Sequence, residues 1–343
     1  MPVSIKDIAK EAGVTPGTVS RALRDSPRVS PETKKRIQHL ADEMGYAPDA
    51  QARSLVTGRT QTIGVVVTTM TDPFIGSIVQ AIESAAYDQG YAVILASSND
   101  IPEREIASAK MLQSRRVDGV IVTSSRVGIL YQESLDQLRV PVVLINSLAQ
   151  QGGRQTFTVS VDNTHGGYLA TKHLIQKGHR RIGYVAAPAD RSDSVKRMAG
   201  HRDALTEVGI DSDSSLVVQG TGGAGGGQRA LLELLSLDDA PSAVFCYNDM
   251  TAIGLIDAAR KAGLSLPQDL AIVGFDDIAF AQLANPPLTT IAQPVAQLGK
   301  EAMEMVLELL RSEDLNGASV SDVVVKGRLV VRESSGAKRL PVN

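Results

Sequence analysis

The chain has 343 residues, of which 43% are hydrophobic and only 3% aromatic, with a formal net charge of −3. This length predicts two or three domains, and the scarcity of aromatic residues predicts aliphatic cores. No stretch approaches the ~18 consecutive apolar residues of a membrane helix, and no secretory signal pattern is found, so we expect a cytoplasmic protein without a membrane partner. The single cysteine, Cys246, excludes an internal disulfide and a cysteine-based metal site.

Charge is distributed unevenly along the chain. Residues 1–60 contain 10 basic and 7 acidic side chains, a net charge of +3, whereas the remainder contains 25 basic and 31 acidic side chains, a net charge of −6. A basic end on an acidic body indicates a polyanion-binding module attached to a domain of another kind. A chance fluctuation of a few charges is the alternative.

The basic segment has the pattern of three short amphipathic helices. Apolar residues recur with helical spacing in three stretches, 5–12, 19–23 and 37–44. Gly13 ends the first stretch, and Thr15 is a good N-cap before Pro16 at the first helical position of the second. The short connection between the first two helices predicts a helix-turn-helix unit that binds DNA. A purely structural three-helix domain with solvated charges is the alternative.

The second helix of such a unit enters the major groove. Its polar positions are Thr15, Thr18, Ser20, Arg21 and Arg24. Arg21 can make a bidentate contact to guanine, while the hydroxyls and Arg24 are suited to phosphates.

A second DNA contact is predicted in the segment 48–60. The pattern from Asp49 to Gly58 is that of a helix too short to be stable in isolation. Leu55 is an apolar residue between Arg53 and Arg59, a combination typical of a minor-groove wedge with phosphate anchors. A flexible linker is the alternative.

From Thr62 onward, apolar runs alternate with helical patterns. The runs are "IGVVVTT", "YAVILASS", "DGVIVTSS", "VPVVLINS", "IGYVAAP", "SAVFCYN" and "AIVGFDD". This alternation predicts parallel sheets with helices on both faces, and about 270 residues suffice for two such sheets. The runs end in small polar residues, and ligands bind outside the carboxyl ends of strands in open α/β sheets, so we expect a cleft between the two sheets.

One further motif suggests a different function. The glycine loop 220–227 contains a formal G-x-G-x-x-G after a strand-like run and before a helical pattern, with Asp238 at a plausible distance. A nucleotide-binding enzyme therefore remains an alternative, although the G-K-[ST] of a Walker A loop is absent. The five histidines show no metal spacing, and no catalytic set can be singled out, so we expect no enzyme, metal or cofactor.

Residues 1–60 resemble the headpiece and hinge of the LacI/GalR family of bacterial transcription regulators. The resemblance lies in "IKDIAKEAGVTPGTVSRAL", "SPETKKRIQHLADEMGYAPDA" and "ARSL". It implies a homodimer on a near-palindromic double-stranded DNA operator, with the Leu55 side chains of two hinge helices paired at its centre. Pro16 and Gly17 occupy positions where family members commonly present side chains to bases. Neither has a side-chain donor, so base readout is expected to depend on Arg21 and on operator shape.

The resemblance extends to about residue 333 and covers the effector-binding core, whose fold is shared with periplasmic sugar-binding proteins. It lies in "VDNTHGGYLATKHLIQKGHRRIGYV", "RMAGHRDAL", "AVFCYNDMTAIGLIDAARKAGLSLPQDLAIVGFDD" and "PPLTTIAQP". The implied fold class is α/β: an all-α helix-turn-helix headpiece plus a two-subdomain periplasmic-binding-protein-like core with parallel sheets. The implied domains are a headpiece 1–47, a hinge 48–60, a core 61–333 (N-subdomain about 61–162 and 293–322, C-subdomain about 163–292 and 323–333) and a tail 334–343.

The family also implies an effector in the cleft. The positions carried over from it are Phe74, Ser125, Asn146, Arg191, Arg197, Asn248 and Asp276. Amide, carboxylate and guanidinium groups are suited to hydroxyls and Phe74 offers an apolar face, so we expect a sugar or sugar derivative. The basic side chains of "RSDSVKR" extend this class to phosphorylated or acidic sugars, although Asp190 and Asp193 offset part of their charge. Asp276 could instead cap a loop. The function predicted is an effector-controlled transcriptional repressor, with a cytosolic solute-binding receptor as the rival from another class.

Overall fold

The structure, a computed structural model, describes residues 3–46, 58–124, 134–135, 137–147, 156–188, 191–312 and 321–336. The chain divides into two compact units, Met1–Thr60 and Gln61–Asn343. Within these described ranges, no helix is both long enough and apolar enough to cross a membrane.

The first unit contains the three predicted helices: α1 (Ile5–Ala12), α2 (Pro16–Leu23) and α3 (Pro31–Glu43). Ser4 begins α1 through its backbone N–H and hydroxyl, which both donate to the Asp7 carboxylate at 2.9 and 2.6 Å. Gly13 ends α1 in the left-handed conformation, with a φ of 62°. The predicted apolar stripes form the core of this unit, with Ile8, Val19 and Ile37 fully buried at its centre.

The second unit contains two six-stranded sheets. The first sheet, which defines lobe 1, has the order β11-β5-β4-β3-β1-β2, and every described pairing in it is parallel. Its strands are β1 (Thr62–Val67), β2 (Ala92–Ser97), β3 (Gly119–Thr123), β4 (Val142–Ile145), β5 (Thr156–Val161) and β11 (Val323–Val325). The helices of this lobe are α4 (Pro73–Asp88), α5 (Pro102–Ser114) and α10 (Val295–Arg311).

The second sheet, which defines lobe 2, has the order β12-β10-β9-β8-β6-β7. Its strands are β6 (Ile182–Ala186), β7 (Val217–Gln219), β8 (Ala243–Cys246), β9 (Ala271–Asp276), β10 (Thr289–Ala292) and β12 (Arg328–Val330). Its helices are α6 (Asn163–Gln176), α7 (Ser192–Glu207), α8 (Ala224–Leu235) and α9 (Asp249–Lys261). The predicted parallel sheets are confirmed, and the one antiparallel pairing among the described strands is that of β12 with β10.

The chain passes between the lobes three times. It leaves lobe 1 between β5 and α6, returns between β10 and α10, and crosses again between β11 and β12. The resemblance implies a third crossing near 323. In the structure, β11 pairs with β5 and β12 pairs with β10, so the chain crosses at 326–327. Gly327 suits this crossing because a Cβ there would come within 3.0 Å of the Ala292 carbonyl oxygen.

Candidate functional site

The polar face of α2 is exposed on the first unit. Thr15 caps the helix by accepting a hydrogen bond from the backbone N–H of Thr18 at 3.2 Å. Arg24 donates to the carbonyl and hydroxyl oxygens of Ser20 at 3.1 and 2.9 Å, so its side chain lies back along its own helix.

Arg21 lies on the same face in a different environment. It is exposed, and its side chain has no hydrogen-bond or ion-pair partner among the residues that the structure describes. Its Nη2 is 3.7 Å from the point that a Cβ would occupy at Gly17, next to the exposed Pro16. The guanidinium thus extends toward the start of α2, over the positions that lack a donor. The predicted contacts Arg53 and Leu55 lie outside the described residues.

A cleft of about 310 Å³ is enclosed by both lobes of the second unit. Its walls are built where strands end and helices begin, as expected for open parallel sheets. The cleft brings together six of the seven predicted effector positions, namely Phe74, Asn146, Arg191, Arg197, Asn248 and Asp276. Ser125 lies outside the described residues, and its neighbour Ser124 lines the cleft.

The backbone is left-handed at several non-glycine residues of this cleft. Ser124 and Asn146 have φ values of 51° and 52°, Asp100 has 60°, and Asp276 has 119°. Such conformations cost about 1–3 kcal/mol each and persist where the surrounding structure holds them. Their concentration at the cleft is therefore a sign of a functional site.

A buried polar relay joins the two lobes beneath the cleft. Asn146 of lobe 1 accepts a hydrogen bond from the Val161 N–H at 2.9 Å and donates to the Gln293 side-chain oxygen at 2.9 Å. Gln293 lies in the second crossing and donates in turn to Asp276 of lobe 2 at 2.7 Å. The relay fixes the Asn146 and Asp276 side chains relative to one another. Sequence reasoning missed Gln293, which stands between two elements and belongs to no motif.

Arg197 lines the cleft and also links several elements of lobe 2 through its buried side chain. Its side chain is only 3% exposed, and it donates to the Asn163 side-chain oxygen at 2.8 Å and to the Tyr247 carbonyl oxygen at 2.6 Å. Its guanidinium lies 3.6 Å from the centre of the Phe275 ring. The Asp276 carboxylate is 3.8 Å away, and burial raises the pKa of Asp276 well above its usual range although Arg197 acts to lower it.

Arg191 is held by acidic partners from both lobes. Two of its nitrogens lie 3.4 Å from the Asp193 carboxylate, and a third lies 3.6 Å from that of Asp100 in lobe 1. Asp193 also accepts a 2.5 Å hydrogen bond from the Tyr247 hydroxyl. Burial acts to raise the pKa of Asp193, but the Arg191 and Arg197 guanidiniums outweigh it and keep that pKa below its usual range.

Asn248 positions a loop of the cleft wall. Its side-chain oxygen caps α9 by accepting from the Thr251 N–H at 2.9 Å, and its amide donates to the Gly222 carbonyl oxygen at 2.8 Å. Gly222 has a φ of 79°, which glycine adopts without strain. Asn248 therefore shapes the lobe 2 wall of the cleft by holding Gly222 in place.

The rest of the glycine loop is explained by helix packing. A Cβ at Gly227 would lie 1.9 Å from the Thr251 carbonyl oxygen, and a Cβ at Gly254 would lie 1.9 Å from that of Ala224. These glycines let α8 and α9 approach closely. Within the loop, Thr221, Gly222 and Gly223 line the cleft.

Several lining residues are not among the seven positions carried over from the family: Thr68, Thr69, Thr71, Asp72, Asp100, Asp193 and Tyr247. Three of them, Thr68, Thr69 and Tyr247, stand at the ends of predicted apolar runs, and three more follow such a run within a few residues. Their position at a strand end was the available signal. Asp193 gave a weaker signal, because it stands between basic residues at the start of α7.

Comparison with known proteins agrees with this geometry. The model for bacterial regulatory proteins of the lacI family matches residues 4–49, and the model for a periplasmic binding protein-like domain matches residues 171–335. The HTH-type transcriptional repressor PurR of Vibrio atlanticus is 35% identical over 312 residues, which cover 91% of this chain and 93% of that protein.

Two solved structures extend the likeness to nearly the whole chain. The Lac repressor dimer bound to operator and an anti-inducer matches with a TM-score of 0.87 and 26% identity, over 98% of this chain and 100% of that one. A complex of the transcriptional regulator CelR with cellobiose matches with a TM-score of 0.72 and 31% identity, over 97% and 99% of the two chains. The chain therefore belongs to the lacI family of bacterial regulatory proteins and is a DNA-binding transcriptional regulator.

Proposed function

We propose that this regulator is a homodimeric repressor whose operator binding is controlled by a sugar or sugar derivative bound between its two lobes. The observation that carries the proposal is the cleft itself, lined by hydroxyl, amide, carboxylate and guanidinium groups from both lobes. A ligand bound there contacts both lobes at once, so it stabilises one arrangement of the lobes over others.

The size and chemistry of the cleft favour a small polyhydroxylated ligand. Its volume of about 310 Å³ is at the lower end of the ~300–1,000 Å³ typical of small-molecule sites. Thr68, Thr69 and Thr71 place hydroxyls on one wall, and the aromatic lining that the structure describes is limited to Phe74 and Tyr247. The CelR relative, whose structure contains cellobiose, supports a carbohydrate.

Operator recognition is assigned to the exposed face of α2. Arg21 is the base-reading residue because its guanidinium lies near Gly17 and has no hydrogen-bond or ion-pair partner in the described part of the chain. Arg24, Thr15, Thr18 and Ser20 are assigned to the phosphate backbone, since hydroxyls and a helix-bound arginine position a protein without reading sequence. Segment 48–60, with Arg53 and Leu55, is proposed to complete the interface at the operator centre.

Two copies are needed because a near-palindromic operator presents two equivalent half-sites. An exposed apolar pair in lobe 2 supports self-association: Phe280 is 52% exposed and Leu283 is 75% exposed, three residues apart. The related Lac repressor structure is a dimer on its operator. In this proposal, closure of the cleft changes the spacing at which the dimer presents its two DNA-binding units.

The test has two parts, both on the full-length chain. A gel shift with genomic fragments asks whether a specific DNA site is retained under competition from nonspecific DNA. A thermal-shift screen with sugars, sugar alcohols, nucleobases and amino acids then asks which class stabilises the protein, and the stabilising compound is added back to the gel shift. Retention of no fragment would refute the DNA function, and stabilisation by nucleobases instead of sugars would refute the effector class.

A further inference from the structure

Both arginines of the cleft already have acidic partners. Arg191 lies between the Asp193 and Asp100 carboxylates at 3.4 and 3.6 Å, and Arg197 lies 3.8 Å from Asp276. Asp72 also lines the cleft, so the lining residues that the structure describes include two arginines and four aspartates. Even with Asp276 protonated, this lining has an excess of negative charge. Arginine side chains that are paired in this way do not provide an open anion-binding site.

Among these carboxylates, Asp193 interacts with both arginines of the cleft. It is only 6% exposed and is fixed by donors on several sides, among them the Tyr247 hydroxyl at 2.5 Å and the Ser194 N–H at 3.0 Å. It remains ionised because both guanidiniums are close to it. A phosphate or carboxylate ligand that approached Arg191 would come close to the buried, negatively charged Asp193 carboxylate. Contacts between like charges at such short range are strongly unfavourable.

Neutral hydroxyl groups meet no such penalty. A carboxylate accepts hydrogen bonds from hydroxyls, and an arginine N–H that is already paired can still be shared with a hydroxyl oxygen. We propose that Asp193 is a specificity-determining residue that makes this cleft select neutral polyhydroxylated ligands and reject their phosphorylated or acidic counterparts. This inference rests on the proposed role of the cleft as the effector site. It narrows the ligand class that the sequence suggested, in which the basic residues of "RSDSVKR" admitted anionic sugars.

The first test uses matched pairs of ligands on the full-length wild-type protein. Isothermal titration compares ribose with ribose 5-phosphate, glucose with glucose 6-phosphate, and galactose with galacturonate, after thermal-shift screening of neutral sugars and sugar alcohols. At least one neutral compound should bind, and its anionic counterpart should bind at least about tenfold more weakly. Equal or tighter binding of the anion would overturn the inference and leave the proposed function intact. If no neutral or anionic sugar binds, the proposed function fails and the inference fails with it.

The second test assigns the selectivity to Asp193. Asp193→Asn keeps the size of the side chain and an oxygen that can accept from Tyr247, and it removes the charge. The ratio of neutral to anionic affinity should shift toward the anion by about tenfold, because Arg191 is then available. Asp257→Asn is the matched control, since it removes an equal charge from the exposed face of α9.

The control variant should leave the ratio unchanged, and an equal shift in Asp257→Asn would show a general charge effect and overturn the assignment. Equal weakening of both ligands in a cooperatively folded Asp193→Asn protein would show that Asp193 only supports the wall, which also overturns it.

Discussion

Arg191 and Asp100 face each other from opposite lobes, with 3.6 Å between the guanidinium and the carboxylate. Asp100 follows β2 in lobe 1, whereas Arg191 immediately precedes α7 in lobe 2. The pair therefore connects the two lobes directly across the cleft. It is separate from the three chain crossings. Its strength affects how readily the lobes separate.

Asp100→Asn should make the cleft open more easily. Both side chains are partly solvated, so the loss should be modest, about 0.2–1 kcal/mol, and smaller at high salt. Hydrogen–deuterium exchange of the full-length protein measures it, with faster exchange expected in the segments 98–101 and 186–188 at low ionic strength. Asp257→Asn serves as the control. Unchanged exchange in these segments would mean that the pair does not restrain the lobes.

Gln293→Ala should destabilise the second unit more than the loss of a few side-chain atoms alone would. The substitution leaves the Asn146 amide and the Asp276 carboxylate without their shared partner in a buried site, which costs about 1–3 kcal/mol. Urea unfolding followed by circular dichroism measures the loss. Gln228→Ala, which removes an exposed glutamine bonded to Asp257, should change the stability by less than about 0.5 kcal/mol. Equal effects of the two substitutions would argue against the relay.

The sequence predicted the architecture well because periodicity and strand-end residues are local signals. The seven apolar runs each contain a strand, and the strand-like run before the glycine loop contains β7. The strands β5, β10, β11 and β12 were not predicted. Two of these, "TFTVSV" and "TTIA", contain threonine and serine whose burial depends on neighbours far along the chain. Their inclusion in the sheets depends on tertiary packing, which cannot be predicted from the local sequence pattern.

The same limit applies to the site. Arg191 and Arg197 were predicted as positive groups of the site. The sequence could not show that each is paired with a carboxylate from a distant part of the chain. Arg197 in particular was predicted only as an effector-binding position. Its bonds to Asn163 and Tyr247 show that its removal would also loosen lobe 2. Which polar groups are satisfied by other protein groups is a property of three-dimensional packing.

His201 should make the second unit sensitive to acid. It is stacked on Tyr184 and bonded to Thr171 at 2.9 Å, and burial lowers its pKa to about 4. In the unfolded chain the pKa of a histidine is about 6.5, so on acidification the unfolded chain takes up a proton that the folded protein does not. Stability should therefore fall as the pH decreases from about 6.5 to about 4, by roughly 3 kcal/mol from this residue.

Urea unfolding at pH 7.5 and pH 5 measures this effect. His201→Gln should lose less stability than the wild type between the two values, while His39→Gln, at an exposed position, should behave as the wild type does. An identical loss in the wild type and in His201→Gln would assign the acid sensitivity to other groups. The buried His173, whose pKa is also lowered to about 4 by burial, is the first alternative.

Leu283→Asp should convert the proposed dimer to monomers. The change places a charge on the exposed apolar pair with Phe280, where burial against a second copy would leave the charge unpaired. Sedimentation at micromolar concentration should show a dimer for the wild type and a monomer for the variant, with operator affinity reduced because one protomer contacts one half-site. Val208→Asp, at another exposed apolar position in lobe 2, should remain dimeric. A dimeric Leu283→Asp protein would place the interface elsewhere.

Arg21 and Arg24 should affect operator binding in different ways because their side chains are held differently. Arg24 is bonded to Ser20 on its own helix, a geometry suited to phosphate contact, whereas the Arg21 guanidinium lies near Gly17 without a partner among the described residues. Arg21→Ala should cost about 1–3 kcal/mol on the operator and relax the preference at one base pair per half-site. Arg24→Ala should weaken binding to all sequences alike and reduce the slope of log affinity against log salt by about 1.

Fluorescence anisotropy with single-base operator variants at several salt concentrations separates the two patterns. If Arg21→Ala instead weakened every variant equally, Arg21 would be a phosphate contact, and sequence discrimination would have to come from operator shape.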